Sequence, residues 1–195
     1  MVRPGPTDRL TWWLEVAPIL IAIPVLFATC RLFPLTPLSY RLILLHALIL
    51  MLGGHYTYAQ VPLGFWVQDL FDLSRNHYDR LGHFAQGFVS AILTREILLR
   101  ISPLQPGRLL FFLVVCVCLA ISAMYELIEW FSALILGQGA EAFLGTQGDP
   151  WDTQADMFLA LVGAVSAQFL LGRLHTQQIA VIKNHKAART LPYLT

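Results

Sequence analysis

Charge is what this chain has least of. Only 13% of its 195 residues are Asp, Glu, Lys or Arg, and these nearly cancel to a formal net charge of +1. Such a balance offers no basic surface to a polyanion, so no nucleic-acid partner is expected. Cysteine is scarce as well. Cys30, Cys116 and Cys118 are an odd set that cannot all pair, and the last two, two residues apart, would leave a helix on different faces. They read as small apolar residues rather than as a redox or metal pair. No internal repeat and no low-complexity tract divides the chain, and 1–195 reads as a single integral membrane domain. What is abundant is hydrocarbon: 56% of residues are hydrophobic and the mean hydropathy is +0.61.

A bilayer core of about 30 Å takes roughly 20 apolar residues per helix. Stretches near 12–33, 40–58, 81–99, 109–136 and 157–174 meet or approach that length. The expected fold is therefore all-α: a polytopic transmembrane helical bundle of about five spans surrounded by membrane lipids. Pro18 and Pro24 fall inside the first span, which reads as uncleaved because no small-residue cleavage site follows it. Between the second and third spans, Ala59 to Asp79 carries Pro62, Phe65, Trp66 and Phe71 among Gln68, Asp69 and Asp72. This pattern suits an interfacial segment able to lid a cavity. Lys183 to Thr195 reads as a solvated tail, His175 and His185 as solvated, and His46 and His55 as structural groups of span two.

Two polar islands interrupt the apolar chain. One is Asn76-His77-Tyr78-Asp79-Arg80-Leu81-Gly82-His83; the other joins Glu126 and Glu129 to Gly148-Asp149-Pro150-Trp151-Asp152-Thr153-Gln154-Ala155-Asp156. Ionisable residues at membrane depth are costly and usually face a bundle interior or a wet cavity. Asp79 and His83 are four apart, Glu126 and Glu129 three, Asp152 and Asp156 four, so each helix can present a pair in one direction. Carboxylates and imidazoles on facing helices can hold a divalent cation, which makes Asp79, His83, Glu126, Glu129, Asp152 and Asp156 candidate metal ligands. The same set without Asp152 is the candidate catalytic group, with Arg75, Arg80 and His77 as candidate substrate contacts. Neither Glu-x-x-His nor His-Glu-x-x-His occurs, which excludes the di-iron carboxylate and zinc-protease patterns. Simpler roles compete. Asp149, Pro150 and Asp152 together resemble an N-cap, a first helical proline and a first-turn acid. Glu126 and Glu129 could be neutralised by Arg75 or Arg80, and His83 could bridge helices by a hydrogen bond. Gly82, Gly87, Ala91, Ala160, Ala164 and Ala167 fall at helical spacing and read as close-packing surfaces.

The blocks Asn76 to Phe84, Tyr125 to Trp130 and Gly145 to Met157 resemble those of the YjdF-like family of bacterial inner-membrane proteins. That likeness runs from about Asn76 to Gly172 and implies fold, topology and an inner-membrane location; it carries no reaction with it. More remotely, Asp-x-x-x-His-Phe opening one span and Asp-x-x-x-Asp opening the last are similar to VanZ-like membrane proteins, whose namesake is associated with glycopeptide resistance. There the expected Glu-x-x-Gln is Glu126-Leu-Ile-Glu129 here.

Three function classes fit these residues. The first is a metal-dependent hydrolase or transferase acting on a lipid-linked or envelope substrate. The second is an ion- or proton-coupled carrier, and the third a non-enzymatic accessory protein with a structural polar cluster. Positive residues set the orientation: Arg3, Arg9, Arg75 and Arg80 lie on one face, against Arg31, Arg41, Arg100, Arg108, Arg173, Lys183, Lys186 and Arg189 on the other. The richer face is expected in the cytoplasm, with the N-terminus and both islands outside. A reporter fused at Thr195 should accordingly read as cytoplasmic; a periplasmic signal would invert the topology.

Overall fold

The computed structural model describes residues 5–137 and 144–190, the side chains of residues 136 and 185–190 excepted. Its helices are α1 (Arg9–Thr29), α2 (Pro37–Tyr56), α3 (Pro62–Phe71), α4 (Tyr78–Ile101), α5 (Arg108–Leu136) and α6 (Asp152–Thr190). Among the described residues there is no strand. The starts follow local chemistry. The Asp8 carboxylate accepts from the backbone N–H groups of Leu10 and Thr11, and Thr36 Oγ1 accepts from Ser39 N ahead of Pro37 in the first turn of α2; each relieves a donor that the helix itself cannot satisfy.

Four helices, α1, α2, α5 and α6, are long and apolar enough to cross a membrane. The third expected span, α4, has the length, 24 residues, without the apolarity. Position resolves this. α4 is the central helix, packed against α2, α5 and, most extensively, α6, so its Arg95, Glu96 and His83 meet protein rather than lipid. The apolar helices around it expose Ile21, Phe27, Phe112, Ile135 and Phe169 outward, as lipid-facing surfaces do.

Small residues let α4 and α6 approach. A Cβ on Gly87 would strike the backbone of Ala160, and one on Gly163 would strike the backbone at Phe84 and Phe88. Ala91, Ala160, Ala164 and Ala167 are fully buried, matching the close-packing surface read from their spacing. Tyr58 is held similarly. It has a positive φ of 35°, unusual for a bulky residue, and its ring occupies the notch left by Gly53 and Gly82.

The last helix differs most from expectation. In place of a span near 157–174, α6 runs unbroken over 39 residues, about 58 Å at about 1.5 Å per residue. Lys183 to Thr190 is therefore helical, with Lys183 and Asn184 exposed, and residues 191–195 fall outside the described residues. No proline stops the helix. Ile179 continues the buried stripe into a cluster with Leu99 and Leu110, and Lys183 Nζ donates to Leu99 O at 3.0 Å near the end of α4, where carbonyls lack helical partners.

His175, expected in solvent, is fully buried. It lies on the extended part of the stripe and joins a network at the end of the bundle away from both polar islands. Glu96 accepts from Thr36 N at 2.9 Å, Thr36 Oγ1 at 2.9 Å, Ser39 Oγ at 2.6 Å and Arg100 Nη1 at 2.7 Å, with His175 Nε2 at 3.2 Å. Arg95 Nη2 donates to Thr176 Oγ1 at 2.7 Å, and its Nη1 lies 3.2 Å from His175 Nδ1. A buried carboxylate needs such saturation. The side chain of His185 lies outside the described residues.

The α4–α6 contact yields a test. Gly87→Leu would force side-chain atoms into the Ala160 backbone, costing about 3 kcal/mol, the upper range of overpacking. Unfolding in a detergent–SDS titration should show that loss, whereas Gly107→Ala, which meets only Gln105 O at 3.9 Å, should cost about 1 kcal/mol or less, the worth of the α5 N-cap.

Candidate functional site

The two polar islands meet at one end of the bundle. Arg75, 9% exposed, donates through Nη1 to Thr146 O at 2.8 Å and through Nη2 to Gly145 O at 3.4 Å. The same Nη1 stands 2.8 Å from Asp152 Oδ1, an ion pair without hydrogen-bond alignment, and 3.4 Å from Asp149 Oδ2. Arg80 Nη2 donates to Asp149 Oδ2 at 2.7 Å, while its Nη1 lies 3.1 Å from His77 Nδ1. Asn76 and Gln147 exchange two bonds: Asn76 N donates to Gln147 Oε1 at 3.2 Å, and Gln147 Nε2 donates to Asn76 O at 2.8 Å. These contacts latch the segment before α6 to the start of α4. Partial burial, then Arg80 and Arg75, lowers the His77 pKa and keeps that ring neutral near pH 7.

The latch also corrects the capping expectation for Asp149 and Pro150, while Asp152 does stand in the first turn of α6. Asp149 Oδ1 accepts from Trp151 N at 2.9 Å, but α6 begins at Asp152 and Ala155 N donates to Trp151 O at 2.9 Å, so Trp151 occupies the N-cap position and Pro150 precedes the helix. Asp149 holds a turn and two arginines instead. Those arginines are thereby committed to Asp149 and Asp152, not to Glu126 and Glu129.

Beneath the latch, three side chains converge. His83 Nε2 lies 3.7 Å from Asp79 Oδ1, one turn back on α4, and 4.0 Å from Asp156 Oδ2 on α6. One donor atom from each of Asp79, His83 and Asp156 falls within 4.8 Å of the others, a spread that a single ion at about 2.0–2.6 Å from each can bridge. The other ring nitrogen, His83 Nδ1, faces Glu126 Oε1 at 3.7 Å. His83 Nδ1, Glu126 Oε1 and Asp156 Oδ1 are buried without a hydrogen-bond partner among the described residues. Unsatisfied polar atoms at this depth are costly and call for an occupant or a function. Of the six expected metal ligands, then, three converge, Glu126 backs the histidine, Asp152 turns to Arg75, and Glu129 faces the adjoining cavity.

That cavity, about 530 Å³, lies among α1, α2, α4 and α5, with Glu15, His46, Tyr58, Asp79, His83, Tyr125 and Glu129 in its wall. No residue of α3 lines it; the amphipathic segment exposes Trp66, Leu70 and Phe71 at the surface rather than forming a lid. Four wall residues were not anticipated. Glu15, buried to 3% exposure, accepts from Tyr125 Oη at 3.0 Å, and Tyr125 stands edge-on to the His83 ring with centroids 6.1 Å apart. An acid inside the first span was a visible signal for Glu15. For His46, Tyr58 and Tyr125 only the arrangement of α1, α2 and α5 around α4 could have supplied one.

A central polar helix sheathed by apolar ones, with acids and imidazoles gathered in a cavity at one end, defines a polytopic helical membrane protein. The chain belongs to the family described as "Predicted membrane protein (DUF2238)", whose model matches residues 2–177. It is similar to inner membrane protein YjdF of Escherichia coli (strain K12), at 59% identity over 172 residues, 88% of this chain and 82% of that protein. These matches accord with the resemblance read from the three motif blocks. No solved structure matches.

Because Arg75 neutralises buried Asp152 and helps hold Asp149, Arg75→Ala strands carboxylates and should cost about 3–5 kcal/mol in detergent unfolding. Arg80, 26% exposed against a carboxylate 24% exposed, should cost about 1 kcal/mol or less when replaced by Ala.

Proposed function

We propose that this protein is a metal-dependent hydrolase or transferase of the bacterial inner membrane, acting on a lipid-borne or envelope substrate, with its N-terminus and site outside. The location follows the name of its Escherichia coli relative; the orientation follows the charge count. One observation carries the chemistry: the two nitrogens of His83 face different partners. Nε2 looks toward Asp79 and Asp156, while Nδ1 looks toward Glu126. That is the layout of a metal-binding imidazole whose ring is oriented by a second carboxylate. Asp79, His83 and Asp156 would hold the ion, Glu126 would fix the ring, and the positions left open by three protein ligands would take water and substrate. A divalent ion there would supply an activated water or polarise the bond to be broken. The oxygen-rich donor set favours Mg²⁺, Mn²⁺ or Ca²⁺, the imidazole admits zinc or iron. Arg75 and Arg80, spent on internal pairs, brace the site rather than clamp substrate.

A carrier would need polar lining to the opposite end, and there Glu96, His175, Arg95 and Arg100 bond to one another and to α2. A one-sided site fits that closure better.

Elemental analysis of detergent-purified protein tests the reading. Near-stoichiometric metal is expected in the wild type and in Glu129→Gln, with loss in His83→Ala and Asp156→Ala that remain monodisperse. Absence of metal from wild type, after incubation with divalent ions, sinks it.

A further inference from the structure

The cavity does not end at its polar wall. Pro18, Tyr125 and Ile128 are shared with a second hollow of about 510 Å³ between α1 and α5, whose other walls are Leu14, Ala17, Ile21, Ala22 and Val25. This groove is apolar and continuous with the lipid-facing surface, where Ile21, Val25 and Ile128 are each at least half exposed. Its origin is the way α1 is held: it packs on α2, with no comparable contact to α5. Pro18, within α1, stands where groove and cavity join.

At the inner end of this path the wall offers acceptors. Glu15, Asp79 and Glu129 are its carboxylates, and among the described residues no Lys or Arg lines it. His46 Nε2 and Gln86 Oε1, both in the same wall, are buried without a partner among the described residues, and His83, a wall residue 6% exposed, has none for Nδ1 on its Glu126 side. An anionic head would meet carboxylates and, among the described residues, no cationic side chain. A primary ammonium supplies three donors and no acceptor, the complement of this wall.

We propose that a bilayer lipid with a primary-amine head enters sideways between α1 and α5, laying its chain in the groove and its ammonium against Glu15 and Glu129. This names the substrate class of the site already described and rests on that site being a pocket for a lipid-borne group; it does not require the metal.

The test uses the whole protein in lipid nanodiscs, with hexadecylamine, hexadecanol or hexadecyl phosphate added at equal mole fraction and retained lipid counted by native mass spectrometry, with and without chelator. One hexadecylamine per chain should be retained at least about tenfold over either comparator under both conditions. Glu129→Gln should erase the preference while keeping whatever metal the wild type binds. Ala22→Trp, which fills the groove away from the acids, should cut uptake of all three. Equal retention of the three, no saturable retention, or preference for hexadecyl phosphate overturns the inference. Phosphate preference confined to metal-loaded protein would do so while favouring the metal reading; amine binding to a protein that takes no metal would uphold the inference and remove that reading.

Discussion

A charged side chain in hydrocarbon must find partners, and the architecture follows from that constraint. The chain sets α4, too polar to face lipid, at the centre of the bundle and wraps it in helices apolar enough to do so. The two ends of α4 answer the constraint differently. Around Glu96 every neighbour donates, and the carboxylate is saturated by α2, α6 and its own helix. Around His83 the neighbours stop short of hydrogen-bond distance and several polar atoms stay unpartnered. Similar residue types thus build a lock at one end and an incomplete shell at the other. The incompleteness, more than the count of acids, marks the second as a site.

Close packing sets the geometry of that shell. Gly87 lies one turn below His83 on α4, and Ala160 one turn below Asp156 on α6. Backbone contact at Gly87 and Ala160 fixes the separation of the helices, and with it the 4.0 Å between His83 and Asp156. The arginine latch above fixes the same pair from the other side through Asp149 and Asp152. A site held between a steric stop and an electrostatic clasp has little freedom to drift, which is what precise chemistry requires of its supports.

Much of this was legible in the residues alone. Helical spacing paired Asp79 with His83 and placed small residues on one stripe, while alternating spans brought both islands to one end. What escaped depended on packing that periodicity does not encode. Glu15 and His46 belong to helices whose lateral neighbours no local pattern specifies, and Tyr58 enters the wall through an unusual backbone conformation. His175 was misplaced because span five was ended at 174, although Ile179 continues the buried face. Asp149 resembled a cap because its sequence context is that of one; the later start of α6 and the position of Arg75 and Arg80 decided otherwise.

The clasp joins residues about seventy positions apart, and Asp156 belongs to the last helix. While the chain is being synthesised, α4 and α5 therefore enter the membrane with Asp79, His83 and Glu126 before α6 exists to face them. Synthesis proceeds residue by residue, with the N-terminal part first. The nascent protein must pass through an interval in which its central helix lacks its most extensive neighbour. A premature stop before α6 would turn that interval into a permanent state, with Arg75 deprived of Asp152 and His83 of Asp156.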